Sequence, residues 1–241
     1  MFHQVSVCPS QCEVPMSNVS PFRPGIEQLE SREVLSNSSF VAHLYQDVLG
    51  RQPDAAGYSF WVNSLDQGTY TTGQVSIAFA SSTEYRTNVI GRFYVDILGR
   101  YPSTSEVSGY LSLFEAGLSQ DNIRALFFGS QEFYNRVGQN PSAFVTQLYS
   151  QILGRSASGA DVNYWVNELN ASNGDRARIA RNFLGSPEYK QDEVIGVYVG
   201  FLHRNPDTDG FNYWVGQQNN GMTFETLAVS FLASPEYFQR G

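Results

Sequence analysis

The sequence predicts an all-α protein built from duplicated helical repeat units, about three helices to each repeat. Three observations carry that prediction. Apolar residues recur at helical spacing, short polar residues and glycines punctuate them, and one frame returns four times. The frame reads VLGRQPDAAGYSFW, ILGRYPSTSEVSGY, ILGRSASGADVNYW and FLHRNPDTDGFNYW. Its arginines are Arg51, Arg100, Arg155 and Arg204. Six residues before them stand Tyr45, Tyr94, Tyr149 and Tyr198; ten residues after them stand Trp61, Tyr110, Trp165 and Trp214.

The first helix of each unit shows in its stripe. Phe40, Val41, Leu44, Tyr45, Val48 and Leu49 form one buried face, and Val89, Ile90, Phe93, Tyr94, Ile97 and Leu98 repeat it. Gly50, Gly99 and Gly154 are expected to stop three of these helices in the left-handed conformation, and His203 to do so in the fourth. A second helix opens at Asp54, Ser103, Ser158 or Asp207, all short capping residues. It ends near Gly68, Gly117 or Asn170. The third helix carries Val75, Ile123, Ile179 or Leu227, with Phe79, Phe127, Phe183 or Phe231 four residues on. It ends at Ser82, Ser130, Ser186 or Ser234, where a Ser-x-Glu block places a cap and an acid on the next helix start. In the first three repeats that helix is expected to continue into the following arginine segment. After the fourth, only Tyr237–Gly241 remain for a short closing turn.

The arginine spacings are 49, 55 and 49, so the higher period is 104. The chain therefore divides into a polar leader without stable structure (1–39), a two-repeat domain (40–138) and a second two-repeat domain (139–241). VGQNPS, around Val137–Ser142, serves as the linker.

The glutamates of the Ser-x-Glu blocks are Glu84, Glu132, Glu188 and Glu236, at +33, +32, +33 and +32 from the arginines. Four copies in register argue for a buried or half-buried Arg–Glu clamp rather than for catalytic carboxylates. A planar guanidinium satisfies a carboxylate and helix carbonyls together. Trp61, Tyr110, Trp165 and Trp214 fall on the apolar face and are expected to pack in the core. Tyr58, Tyr164 and Phe211, beside the turns, are the candidates for facing a ligand. Asn205, Asp207 and Asp209 resemble half of a calcium loop, but the bidentate glutamate at its far end is missing, and a cap and turn is the preferred reading.

The net charge of −8 argues against nucleic acid and anionic lipid as partners. No apolar run is long enough to span a bilayer. Two cysteines, Cys8 and Cys12, and three histidines leave little material for a metal site, and the two thiols could be bonded or free. The sequence has no Gly-x-Ser-x-Gly elbow, HExxH or phosphate-cradling GxxxxGK. No enzyme, metal or cofactor is expected.

The repeated LGRxPD…W, followed by a third helix and Ser-x-Glu-Tyr/Phe, resembles the bacterial domain-of-unknown-function 4214 family over about residues 40–241. The resemblance implies an all-helical module, related in fold to phycobilisome linker domains and usually carried by exported or surface proteins. The second repeat departs most, with Tyr110 and Ser103. Leu29–Leu35 (LESREVL) is similar to the LEPR-XLL motif of exported bacterial surface proteins, with Ser31 in place of proline. Residues 1–25 have no apolar core of a signal peptide. The expectation is a non-enzymatic scaffolding or adhesion module of the cell envelope, binding a protein or an envelope glycan. The alternative is a carbohydrate-binding accessory module.

Overall fold

The computed structural model describes residues 36–240. The thiols Cys8 and Cys12 and the 29–35 motif lie outside the described residues. The helices follow the repeated frame. The first segment comprises α1 (Asn37–Asp47), α2 (Ala55–Asp66) and α3 (Thr72–Ala80). Next, α4 (Thr83–Phe93) runs through a π-helical turn at Tyr94–Leu98 into the second segment, which adds α5 (Thr104–Glu115), α6 (Gln120–Gly129) and the short α7 (Gln131–Arg136). The third has α8 (Pro141–Ile152), α9 (Gly159–Ala171) and α10 (Arg176–Leu184). The long α11 (Pro187–Leu202) leads into the fourth, with α12 (Thr208–Asn219), α13 (Phe224–Leu232) and α14 (Pro235–Phe238).

Local chemistry sets these boundaries. Asp54, Ser103, Ser158 and Asp207 each accept the backbone N–H three residues on, as do Ser82, Ser130, Ser186 and Ser234. The residue before each arginine is left-handed, with φ of 69°, 66° and 62° at Gly50, Gly99 and Gly154 and 53° at His203. That turn lets the arginine amide reach back to the carbonyl of the tyrosine six residues earlier, at 3.2, 3.3, 3.3 and 3.5 Å. The first helix begins at Asn37, capped by Ser36, so the leader ends before residue 39.

Two expectations need correction. The Ser-x-Glu helix continues into the next arginine segment after the first and third segments but not after the second. There α7 stops at Arg136, because Gly138 and Gln139 both turn left-handed (φ 71° and 56°) and Asn140–Pro141 caps a new helix. The second concerns the core. Buried residues from Val89 to Tyr189 form one cluster, drawn from segments two and three. Those from Phe40 to Phe79 and from Val194 to Tyr237 form another, drawn from segments one and four. Helix α6 packs against α10, and α3 against α13. Each core therefore takes one segment from either side of the 138/139 division, whereas the sequence reading placed a separate domain on each side. A helix stripe shows that a face is buried, not which of several like faces covers it.

Candidate functional site

The repeated residues meet in one column per segment. Each arginine lies over the tyrosine six residues before it, with Cζ 4.9, 4.8, 4.8 and 4.9 Å from the ring centroids of Tyr45, Tyr94, Tyr149 and Tyr198. Those tyrosines meet Phe79, Phe127, Phe183 and Phe231 edge-on, at 5.0, 4.9, 4.9 and 4.8 Å. The position +10 from the arginine meets the same phenylalanine. Trp61, Tyr110, Trp165 and Trp214 lie 5.7, 4.4, 4.8 and 5.1 Å from it. These four aromatics are half-buried against the cores, and the Trp165 indole N–H donates to the Tyr149 hydroxyl at 3.2 Å.

The arginines bring in the glutamates. Nε donates to Oε1 and Nη2 to Oε2 in Arg51–Glu84, Arg100–Glu132, Arg155–Glu188 and Arg204–Glu236. The Nη2–Oε2 distances are 3.0, 2.8, 2.8 and 3.0 Å. All four pairs are bidentate, and each glutamate stands on the helix that follows the third helix of the arginine's segment: α4, α7, α11 or α14. Nη1 donates to the carbonyl of the following residue at 3.1–3.4 Å. The hydrogen bonds from the arginines hold all four glutamate carboxyls below the usual range, so they are charged at neutral pH. The clamps are half-buried: the eight side chains are 38–49% exposed. Solvent screens such pairs, so they fix geometry more than they add stability.

A second carboxylate joins each column. In segments one and four it is the cap itself. Asp54 and Asp207 accept from Gly57 and Gly210 amides at 2.8 Å and from Arg51 and Arg204 at 3.4 and 3.5 Å. Segments two and three place serine at the cap, and the acid moves three residues on. Glu106 accepts from the Ser103 amide (2.8 Å) and from Arg100 Nη1 (3.1 Å); Asp161 accepts from the Ser158 amide (3.1 Å). Where the cap is aspartate, the third residue on is glycine, and a Cβ there would lie 2.2 Å from the Tyr45 or Tyr198 hydroxyl. Counting acids within the first turn, rather than at one position, is the signal that finds Glu106 and Asp161.

Of the three expected ligand-facing aromatics, the structure exposes one. Tyr164 is 58% exposed. Tyr58 donates its hydroxyl to the Ser38 carbonyl at 3.2 Å, and both it and Phe211 pack on the core of segments one and four. Their places are taken by Phe60 and Tyr213, 54% and 57% exposed, which with Tyr164 immediately precede the tryptophans. Each meets its tryptophan edge-on, at 4.9, 5.1 and 4.9 Å for Phe60, Tyr164 and Tyr213. The aromatic–Trp dipeptide, present in three segments and Gly-Tyr in the second, is the sequence signal that marks them. Asp207 is committed to its cap and to Arg204, and no group of three His, Cys, Asp or Glu among the described residues could hold a metal ion. No helix among the described residues is long and apolar enough to cross a membrane.

Fold and columns together define an all-helical protein with repeated helical segments, in which the recurring charges are tied to one another. A family model described as "Domain of unknown function (DUF4214)" matches residues 27–89, 124–193 and 194–240. These spans cover well over half of the chain, which belongs to that family. No curated protein and no solved structure matches it.

Proposed function

We propose that the chain is a non-enzymatic recognition module of an exported or cell-surface bacterial protein, with a protein as its partner. The observation that supports this reading is the division of labour within each column. The recurring charges face one another, while Phe60, Tyr164 and Tyr213 project from equivalent places on α2, α9 and α12. Exposed rigid aromatics suit contact surfaces, because they bring large area at small entropic cost. Envelope location, the reading of the four segments as four family copies and the kinship with phycobilisome linker domains belong to the same proposal.

The test compares wild-type protein with the Phe60→Ala/Tyr164→Ala/Tyr213→Ala variant in pull-downs from envelope fractions. One stoichiometric protein recovered by the wild type and lost by the folded variant is the expected result. A second reading, a carbohydrate-binding module, rests on the same aromatics, since sugar faces stack on such rings. Saturable binding on a glycan array, lost in the same variant, would establish it instead. Identical recovery by both proteins would remove the aromatics from either account.

A further inference from the structure

Helix α11 passes through both cores. Tyr189 belongs to the core of segments two and three, and Val194 to that of segments one and four. Glu193 stands at the crossing and is mostly buried. Asp121, Arg124 and Tyr189 act on Glu193 directly, and Lys190 and Glu225 act on Asp121. Helix α6 supplies Asp121 and Arg124, α11 itself Tyr189 and Lys190, and α13 Glu225. Tyr85 and Arg92 of α4 border an adjoining cleft of about 300 Å³, together with Asp47, Asp96 and Arg124.

The cations are engaged elsewhere. Arg124 donates to the Tyr189 hydroxyl at 2.9 Å and to the Gln151 carbonyl at 3.3 Å, and Lys190 to the Gln218 carbonyl at 3.2 Å. Neither Asp121 nor Glu193 has an ion-pair partner within 4.0 Å among the described residues. Glu193 meets the Tyr189 hydroxyl, which favours its charged form, and Gln218 of α12, whose Nε2 donates to Glu193 Oε2 at 2.7 Å. Gln218 is 2% exposed, and its Oε1 has no donor among the described residues. A carboxylate cannot supply one, because it has no hydrogen to give; a neutral carboxylic acid can. Acid and primary amide are complementary. The amide N–H donates to one acid oxygen while the acid O–H donates to the amide oxygen.

We propose that Glu193 is a neutral acid in the folded protein and closes a two-bond pair with the Gln218 amide, so that the contact between α11 and α12, beside the crossing of the two cores, is a proton-dependent latch. The electrostatics agree. Burial first, then the charge of Asp121, pushes Glu193 up to about 8; burial first, then the charge of Glu225, pushes Asp121 up to about 6. The sign follows from linkage. Unfolded glutamate releases its proton near 4.5 and folded Glu193 near 8, so between those values the folded state binds more protons. The folded-to-unfolded ratio therefore falls as pH rises through this window, by up to about tenfold per pH unit, and levels off above it.

Two measurements on the whole chain test the latch. A carbon-13 NMR titration, with the Glu193 carboxyl assigned through its backbone, should show it titrating well above the ordinary glutamate range. Urea unfolding from pH 6 to pH 9 should show wild type losing stability that Glu193→Gln keeps, because two amides form both bonds at every pH. A Glu193 carboxyl titrating in the ordinary range, or equal pH slopes for wild type and E193Q, would overturn the proposal. Should E193Q not fold, the wild-type titration decides.

Discussion

On the Arg155 guanidinium three interactions converge: the Tyr149 ring beneath it, Glu188 across its fork, and the Ser156 carbonyl at its remaining nitrogen. Because the pair is nearly half exposed, Glu188→Gln should fold normally and lower Tm by no more than about 3 °C. The Glu188 carboxyl is held low by Arg155, so its contribution is present above the ordinary carboxylate pKa and is lost as pH falls through the folded value. Thermal melts on acidification should therefore steepen for wild type relative to E188Q. Trp165→Ala removes a half-buried indole from Phe183 and Tyr149 and should cost about 3 kcal/mol in urea unfolding. The Arg–Glu partners were legible because their offset stays within one residue in all four segments. Which of the two it would be, buried or half-buried, was not, since that depends on where the left-handed turn aims the arginine. Tyr58 and Phe211 misled because they flank the turn in sequence while facing inward on the helix.

At the level of helices, capping residues set the boundaries, and this part of the structure reads directly from the chain. Ser186 accepts the Tyr189 amide and opens α11, the helix common to both cores. Ser186→Ala should cost about 1 kcal/mol, measured by chemical unfolding. Helix pairing is governed by a subtler residue. At Gly129 on α6 an added Cβ would lie 2.7 Å from the Ala177 backbone on α10. Neither backbone can yield without parting the two helices, so Gly129→Ala should destabilise by about 1–3 kcal/mol and perturb near-UV circular dichroism from the surrounding aromatics. Nothing in the local pattern singles out Gly129, which reads there only as a helix end. Its meaning depends on a partner 48 positions away, which helical periodicity cannot specify.

Across the molecule, the two cores are interleaved: segments two and three complete one, segments one and four the other. Cutting the chain in the Val137–Asn140 turn should therefore leave the two pieces bound to each other. Size exclusion of the nicked protein should give a single peak of unchanged mass, and separation only in denaturant. The 104-residue period was legible, yet it suggested two neighbours side by side, because equivalent faces look alike in sequence. The arrangement has a further consequence for how such a chain could have arisen. Its halves stand to each other as protomers of a strand-exchanged dimer do, each lending a segment to the other's interior. An ancestor of half this length could have hidden its greasy faces only by finding a twin. Fusing the two genes would then have turned a concentration-dependent meeting into an intramolecular one, with the short turn at residues 137–140 acting as tether.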